Sequence, residues 1–159
     1  MNDSRYSQIK MQNSHTSISG PQGRVKRVGI FADVSNVQSI CLNSILSYAN
    51  TLGNVVLSRA YIPITSQVDL PSIVRSGFSP IIVTNKGIRT TDTDSQMIVD
   101  IMDQPFTDIF IIATGDRDFV PAVEWLIGKG KYVILIGREA SFNRRLTHKC
   151  DYFIDIETL

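Results

Sequence analysis

Aspartates close two apolar runs of this chain. Asp33 ends the first, in Val28-Gly-Ile-Phe-Ala-Asp-Val-Ser-Asn36, and Asp116 and Asp118 end the second, in Ile111-Ile-Ala-Thr-Gly-Asp-Arg-Asp-Phe119. Between them lies an acidic segment, Thr91-Asp-Thr-Asp-Ser-Gln-Met-Ile-Val-Asp100, which brings in Asp94 and Asp100. Carboxylates at the ends of buried strands lose hydration and repel one another, so they do little for stability. Two unit charges about 4 Å apart interact by roughly 4 kcal/mol at an effective dielectric near 20. Three or four such groups in one place call for protons or a cation. No lysine or arginine is regularly interleaved among them, so the expected partner is a divalent metal, and the expected chemistry is metal-assisted.

The elements that must position these groups alternate in type. Short apolar runs at Arg27 to Ala32, Val55 to Ile62, Pro80 to Thr84, Asp108 to Ala113, Tyr132 to Ile136 and Tyr152 to Ile154 predict strands. Their near-continuous Val and Ile content fits a sheet covered on both faces. Amphipathic segments between them predict helices over Asn36 to Leu52, Val68 to Arg75, Ser95 to Met102, Phe119 to Ile127 and Phe142 to Lys149. Gly53, Gly77 and Gly128 are the expected stops, with Pro105 beyond the third helix. This alternation means a doubly wound α/β domain with a mainly parallel sheet. In such sheets ligands bind beyond the carboxyl ends of the strands, where the strand order reverses. If the first and fourth strands are neighbours, Asp33 and Asp116 converge there, and Asp94 joins them from the start of its helix. Asp100 follows Asp94 by six residues, which is about 120° around the helix and about 9 Å along it. The two therefore cannot share an ion within one regular helix. Asp100 is left either to orient a ligand or water or to stand as a solvated face residue.

Composition narrows the class. With 159 residues and 43% hydrophobic content the chain can bury one core, and 16 basic against 15 acidic residues give a net charge of +1. There is no global electrostatic signature of a nucleic-acid binder, so polyanion binding must come from local patches. Cys41 and Cys150, like His15 and His148, lack metal-ligand spacing, which excludes a structural zinc site and a disulfide framework. Nothing approaches the roughly 20 apolar residues of a membrane span, and the N-terminus lacks the apolar core of a secretory signal. The expected location is the cytoplasm. Residues 1–24, rich in Ser, Asn, Gln and Gly, predict a flexible polar tail ahead of a folded unit over 25–159.

Four segments taken in order resemble the NYN domain, in the LabA-like branch of the PIN-like nuclease superfamily. They are Phe31-Ala-Asp-Val-Ser-Asn36, the Asp94 and Asp100 pair, Thr114-Gly-Asp-Arg-Asp-Phe119, and Ser141-Phe-Asn-Arg-Arg-Leu146 leading into Asp151-Tyr-Phe-Ile154. The resemblance spans about residues 26 to 156. It implies a three-layer α/β/α PIN-like, Rossmann-like fold, an acidic pocket for Mg²⁺ or Mn²⁺, and RNA hydrolysis. Asp33 and Asn36 match the first motif, Asp94 and Asp100 the helix-borne pair, and Asp116 and Asp118 the pair after the fourth strand. The family often has a lysine and a glycine leading almost directly into the helix-borne pair. Here Lys86-Gly-Ile-Arg-Thr-Thr-Asp-Thr-Asp94 is longer and offers Asp92 as a rival to Asp94.

Phosphodiester hydrolysis needs an activated water, in-line geometry and neutralised phosphoryl charge, all of which a carboxylate-held Mg²⁺ supplies. The expected ligands, direct or through water, are Asp33, Asp94 and Asp116, with Asp118 completing the shell or positioning the water. Asn36 could donate to phosphate or fix Asp33, and Ser35 and Thr114 add hydroxyls nearby. Hard oxygen ligands without His or Cys favour Mg²⁺ or Mn²⁺ over zinc. Lys86, Arg89, Arg144 and Arg145, with Arg138 and Lys149, are the candidates for binding RNA phosphates, against a merely scattered basic surface. Phe119 and Trp125 read as core aromatics.

Other readings remain at this level. Asp33 and Asp116 could simply cap the helices that follow them, although capping accounts for neither a shared sheet edge nor the second acid at Asp118. An aspartyl-phosphate phosphatase would need a second aspartate where Ser35 stands. A Mg²⁺-dependent adhesion module would want a serine where Val37 stands, yet Asp33, Ser35 and Thr114 could still present an ion to a protein ligand. A non-catalytic RNA- or protein-binding scaffold in gene regulation also fits, and a homodimer or a protein partner stays open.

Overall fold

The computed structural model describes residues 23–84, 92–138 and 147–159. Six strands, β1 (Arg27–Asp33), β2 (Asn54–Pro63), β3 (Ser79–Val83), β4 (Ile109–Ala113), β5 (Tyr132–Gly137) and β6 (Tyr152–Asp155), form one sheet in the order β3-β2-β1-β4-β5-β6. Every pairing is parallel. The order runs outward in both directions from β1 and β4, so the reversal lies between these two central strands. β4 is buried at all five positions, as a strand covered on both faces requires. Each such Ile or Phe contributes about 1.5–3 kcal/mol of burial.

Alternation sends neighbouring side chains to opposite layers. Val28, Ile30 and Ala32 of β1 face α1 (Val34–Val37), α2 (Leu42–Leu52) and α3 (Leu70–Arg75), where Leu42, Ile45, Ala49 and Ile73 meet them. Phe31, Tyr61, Phe110 and Ile112 face α4 (Thr93–Met102) and α5 (Val120–Gly128), against Met97, Ile101, Val123 and Leu126. The architecture is a three-layer α/β/α sandwich, as the sequence pattern predicts.

Differences from the sequence reading lie at element ends. The expected helix over Asn36 to Leu52 is split. Asp33 starts α1 by accepting a hydrogen bond from the Ser35 N–H, and Gln38, at φ 58°, breaks the ladder. A 3₁₀ turn over Ser39–Cys41 then leads into α2. Gly128 is the last residue of α5 rather than its stop. The stop is Gly130, at φ 71°, where the Lys131 N–H donates to the Leu126 carbonyl and the Gly130 N–H to that of Ile127. Gly77, at φ 82°, ends α3 with the same pair of bonds. Residues 142–146 of the helix expected over Phe142 to Lys149, and residues 1–22 of the expected tail, lie outside the described residues.

Candidate functional site

The register of β1 against β4 pairs Ala32 with Ala113, so the next rung carries Asp33 and Thr114. Both lie in the alternating positions that face α4 and α5. Asp33 is 2% exposed and Thr114 fully buried. The Asp33 carboxylate accepts from the Ser35 N–H at 3.0 Å and from the Asn36 side-chain amide, so Asn36 fixes Asp33. The Ser35 side chain is exposed at the rim. After β4 the Thr114 hydroxyl accepts from the Asp116 N–H at 3.3 Å, and the Asp116 carboxylate accepts from the Asp118 N–H at 3.0 Å. Capping is therefore real at both Asp33 and Asp116, but it uses only part of the acceptor capacity of each carboxylate.

The third acid arrives from α4. Asp92 is the N-cap of this helix, accepting from the Ser95 N–H at 2.7 Å, and that bonding holds its carboxyl below the usual range. Asp94 lies in the first turn, on the stripe continued by Met97 and Ile101, which enter the core. The stripe aims Asp94 at the sheet edge where Asp33 and Asp116 end. Burial pushes its carboxyl up to about 6, and the charges of Asp33, Asp116, Asp92 and Asp118 add to the effect. Of the two rivals, Asp92 caps the helix and Asp94 faces the other acids.

These carboxylates share a field rather than a coordination sphere. Among the described residues no three His, Cys, Asp or Glu side chains are grouped closely enough to hold one metal ion as they stand. Asp118 points outward, its side chain 68% exposed, beside the still more exposed Arg117 guanidinium at 3.9 Å. Such an exposed pair contributes little.

Asp100 is not a solvated face residue, because three side chains hold its carboxylate. Its Oδ2 accepts from the Tyr61 hydroxyl at 2.8 Å and meets Arg59 Nη1 at 3.1 Å, and its Oδ1 accepts from Gln96 Nε2 at 2.9 Å. Burial raises the Tyr61 hydroxyl above its usual range and the Asp100 charge adds to this, so it remains a proton donor. Arg59 and Gln96 escaped the sequence reading. The signal was there: Arg59 and Tyr61, two apart in a strand, share a face, and Gln96 and Asp100, four apart in a helix, are neighbours. Of the aromatics, Phe119 is core, whereas Trp125 is 37% exposed with the Lys129 ammonium 5.6 Å from its ring centroid. Lys86, Arg89, Arg144 and Arg145 lie outside the described residues. Lys149 is paired with Glu124 at 2.8 Å, and Arg138 is exposed just past β5.

The NYN domain profile matches residues 27–157. The chain belongs to the NYN domain family. This NYN domain is 30% identical over 138 residues to the uncharacterized protein MJ0482 of Methanocaldococcus jannaschii, an alignment covering 82% of the chain and 55% of that protein. It thus spans about half the length of the curated relative it matches. A crystal structure of a protein of unknown function, VPA0982 from Vibrio parahaemolyticus, superposes with a TM-score of 0.70 at 23% identity, covering 92% of this chain and 96% of that one. That likeness is one of fold. NYN membership suggests a place in the PIN-like nuclease superfamily, and no helix among the described residues is long and apolar enough to cross a membrane.

Proposed function

We propose that this NYN domain is a metal-dependent ribonuclease whose reaction centre is the acidic edge between β1 and β4. The observation that carries the reading is the adjacency of those strands, with Asp94 of α4 in the combined field of Asp33 and Asp116. Carboxyl oxygens without His or Cys suit Mg²⁺ or Mn²⁺. Asp33, Asp94 and Asp116 would hold the ion, directly or through water, with Asp118 at the rim. When bound, the ion supplies Lewis acidity toward the phosphodiester and a water of lowered pKa.

The chain's own groups do the rest. Asn36 fixes one oxygen of Asp33 and the Ser35 N–H the other, so this carboxylate is oriented before any ligand arrives. The Thr114 hydroxyl ties down the backbone of Asp116. Burial first, and repulsion from the other acids second, raise the Asp94 carboxyl to about 6, and a cation would relieve the repulsion. Lys86, Arg89, Arg144 and Arg145 are proposed to engage RNA phosphates on either side of the cleaved bond, where phosphate contacts position the strand.

One observation favours a second reading, a non-catalytic RNA- or protein-binding NYN scaffold. The acids are spread too widely, as they stand, for three of them to ligate one ion. Purified protein incubated with single-stranded and structured RNAs separates the two. Cleavage that requires Mg²⁺ or Mn²⁺ and stops with chelator supports the nuclease. RNA binding without cleavage in any metal supports the scaffold.

A further inference from the structure

Both oxygens of Asp100 are engaged, by three side-chain donors in all. One accepts from Tyr61 and pairs with Arg59, and the other accepts from Gln96. The carboxylate is 18% exposed and the Arg59 side chain 27%. Tyr61 and Arg59 belong to β2, and the register places Tyr61 beside Asp33 and Arg59 beside Phe31. Asp100 therefore ties α4 to the strand rung that carries Asp33.

The rest of the attachment of α4 is apolar. Met97 and Ile101 are fully buried among the side chains of this layer. Such contacts are non-directional and single out no particular partner atom. Hydrogen bonds to a carboxylate are directional and about twice as strong as neutral ones. With side chains reaching about 5–6 Å from the helix axis, a 20° roll of α4 would carry the Asp94 carboxylate by roughly 2 Å. A misplacement of about 1 Å can cost two orders of magnitude in rate.

We propose that Arg59, Tyr61 and Gln96 make Asp100 a positioning residue, a clamp that sets the rotation of α4 and so the place of Asp94 opposite Asp33 and Asp116. Asp100 is then not itself a ligand of the ion. The inference rests on the proposed acidic site for its consequence, but the clamp has a readout of its own in the exchange of the α4 backbone amides.

Arg59 provides the decisive test because two accounts predict opposite signs. If Asp100 were a ligand, or if Arg59 acted only through its charge, Arg59→Gln would remove a nearby cation and tighten Mn²⁺ binding. As a clamp member, Arg59→Gln weakens it. The experiment is calorimetric titration of the full chain with Mn²⁺ alone, for the parent, Asp100→Asn, Arg59→Gln and the double variant, with amide exchange followed in α4. The expected result is about a tenfold weaker affinity in each single variant, as for lost outer contacts of metal ligands. The double variant is expected to be no more than about twofold weaker again, because the two residues act as one unit. Arg59→Lys should recover part of the loss. Faster exchange of α4 amides in both single variants, with circular dichroism unchanged, completes the expectation. Tighter Mn²⁺ binding by Arg59→Gln overturns the proposal, as does parent-like affinity in Asp100→Asn. A parent that binds no Mn²⁺ removes the metal reading of the site instead. The clamp is then judged on exchange alone, and parent-like α4 exchange in both variants overturns it.

Discussion

At the carboxyl edge of the sheet Asp94 faces other acids and its carboxyl is raised to about 6. At the amino edge Asp108 faces cations. Burial pushes the Asp108 carboxyl up, but the Arg27 N–H at 2.8 Å, the Arg27 guanidinium and the Arg24 guanidinium at 2.9 Å outweigh it and hold it below the usual range. Lys26, Lys129 and Lys131 line a cavity of about 300 Å³ beside it. Lys131 is spent on structure, donating to the Pro105 and Thr107 carbonyls at 2.7 Å. One edge collects like charges, and at the other Asp108 and Lys131 are satisfied internally. Stability left unclaimed where like charges crowd can be recovered where charges are paired.

That contrast is broken most directly at the acidic edge. Asp116→Asn should lower metal-dependent RNA cleavage by at least about a hundredfold, beyond what loss of a group supporting a ligand costs. Its unfolding free energy without metal should stay level or rise, because one repelling charge is gone. Cleavage at the parent rate would remove the acidic edge from the chemistry.

Gly53 tests the other side. A Cβ there would lie 2.3 Å from the Lys26 carbonyl oxygen, a backbone atom that cannot step aside. The Asn54 N–H donates to that same carbonyl at 2.8 Å, locking the start of β2 to the residue before β1. Gly53→Ala should cost roughly 1–3 kcal/mol in chemical denaturation. Cleavage per folded molecule should not change. A fall in cleavage as large as that of Asp116→Asn would mean that the two edges are not separable.

The smallest effects are the most diagnostic, since the two edges should answer pH in opposite senses. Asp108 has a lowered carboxyl, so its contribution is present above the unfolded value near 3.8. It is lost as pH falls through the lower folded value. Asp108→Asn should therefore cost about 1–2 kcal/mol at neutral pH, and the gap to the parent should close only in strong acid. Asp94 has a raised carboxyl, so without metal it penalises the fold above about pH 6, and the penalty disappears as pH falls toward 4. Asp94→Asn should be more stable than the parent above pH 6, by less than about 1 kcal/mol after solvent screening. Denaturant curves from about pH 2 to 8 check both. Signed stability differences from the parent that move in the same direction as pH falls would sink the contrast.

Most of the architecture was legible in the amino-acid order. Six apolar runs and the amphipathic stretches between them locate the strands to within a residue or so at each end, because a strand covered on both faces has to be apolar at nearly every position. Asp33 and Asp116 could be singled out because carboxylates at the ends of such runs have no role in a core, whereas Asp94 rested on the resemblance with Asp92 as its rival. What escaped were relations across space. Nothing local distinguishes Gly128 from Gly130 as the stop of α5, since the choice depends on which residue can take positive φ while the next N–H reaches back to Leu126. Trp125 is apolar enough for a core, but its position on α5 turns it outward.

By itself, then, the sequence determined the fold class and the strand and helix alternation, and it offered Asp33, Asp116 and either Asp92 or Asp94 as site candidates. Tertiary structure alone decided that β1 and β4 are neighbours, that Asp92 caps while Asp94 faces the other acids, and that Asp100 belongs to Arg59 and Tyr61 of β2. The physical reason is that periodicity records which face of an element is buried. Pairing between elements distant in the chain is written only in how their side chains meet, through hydrogen bonds such as Tyr61 to Asp100 that join residues 39 positions apart.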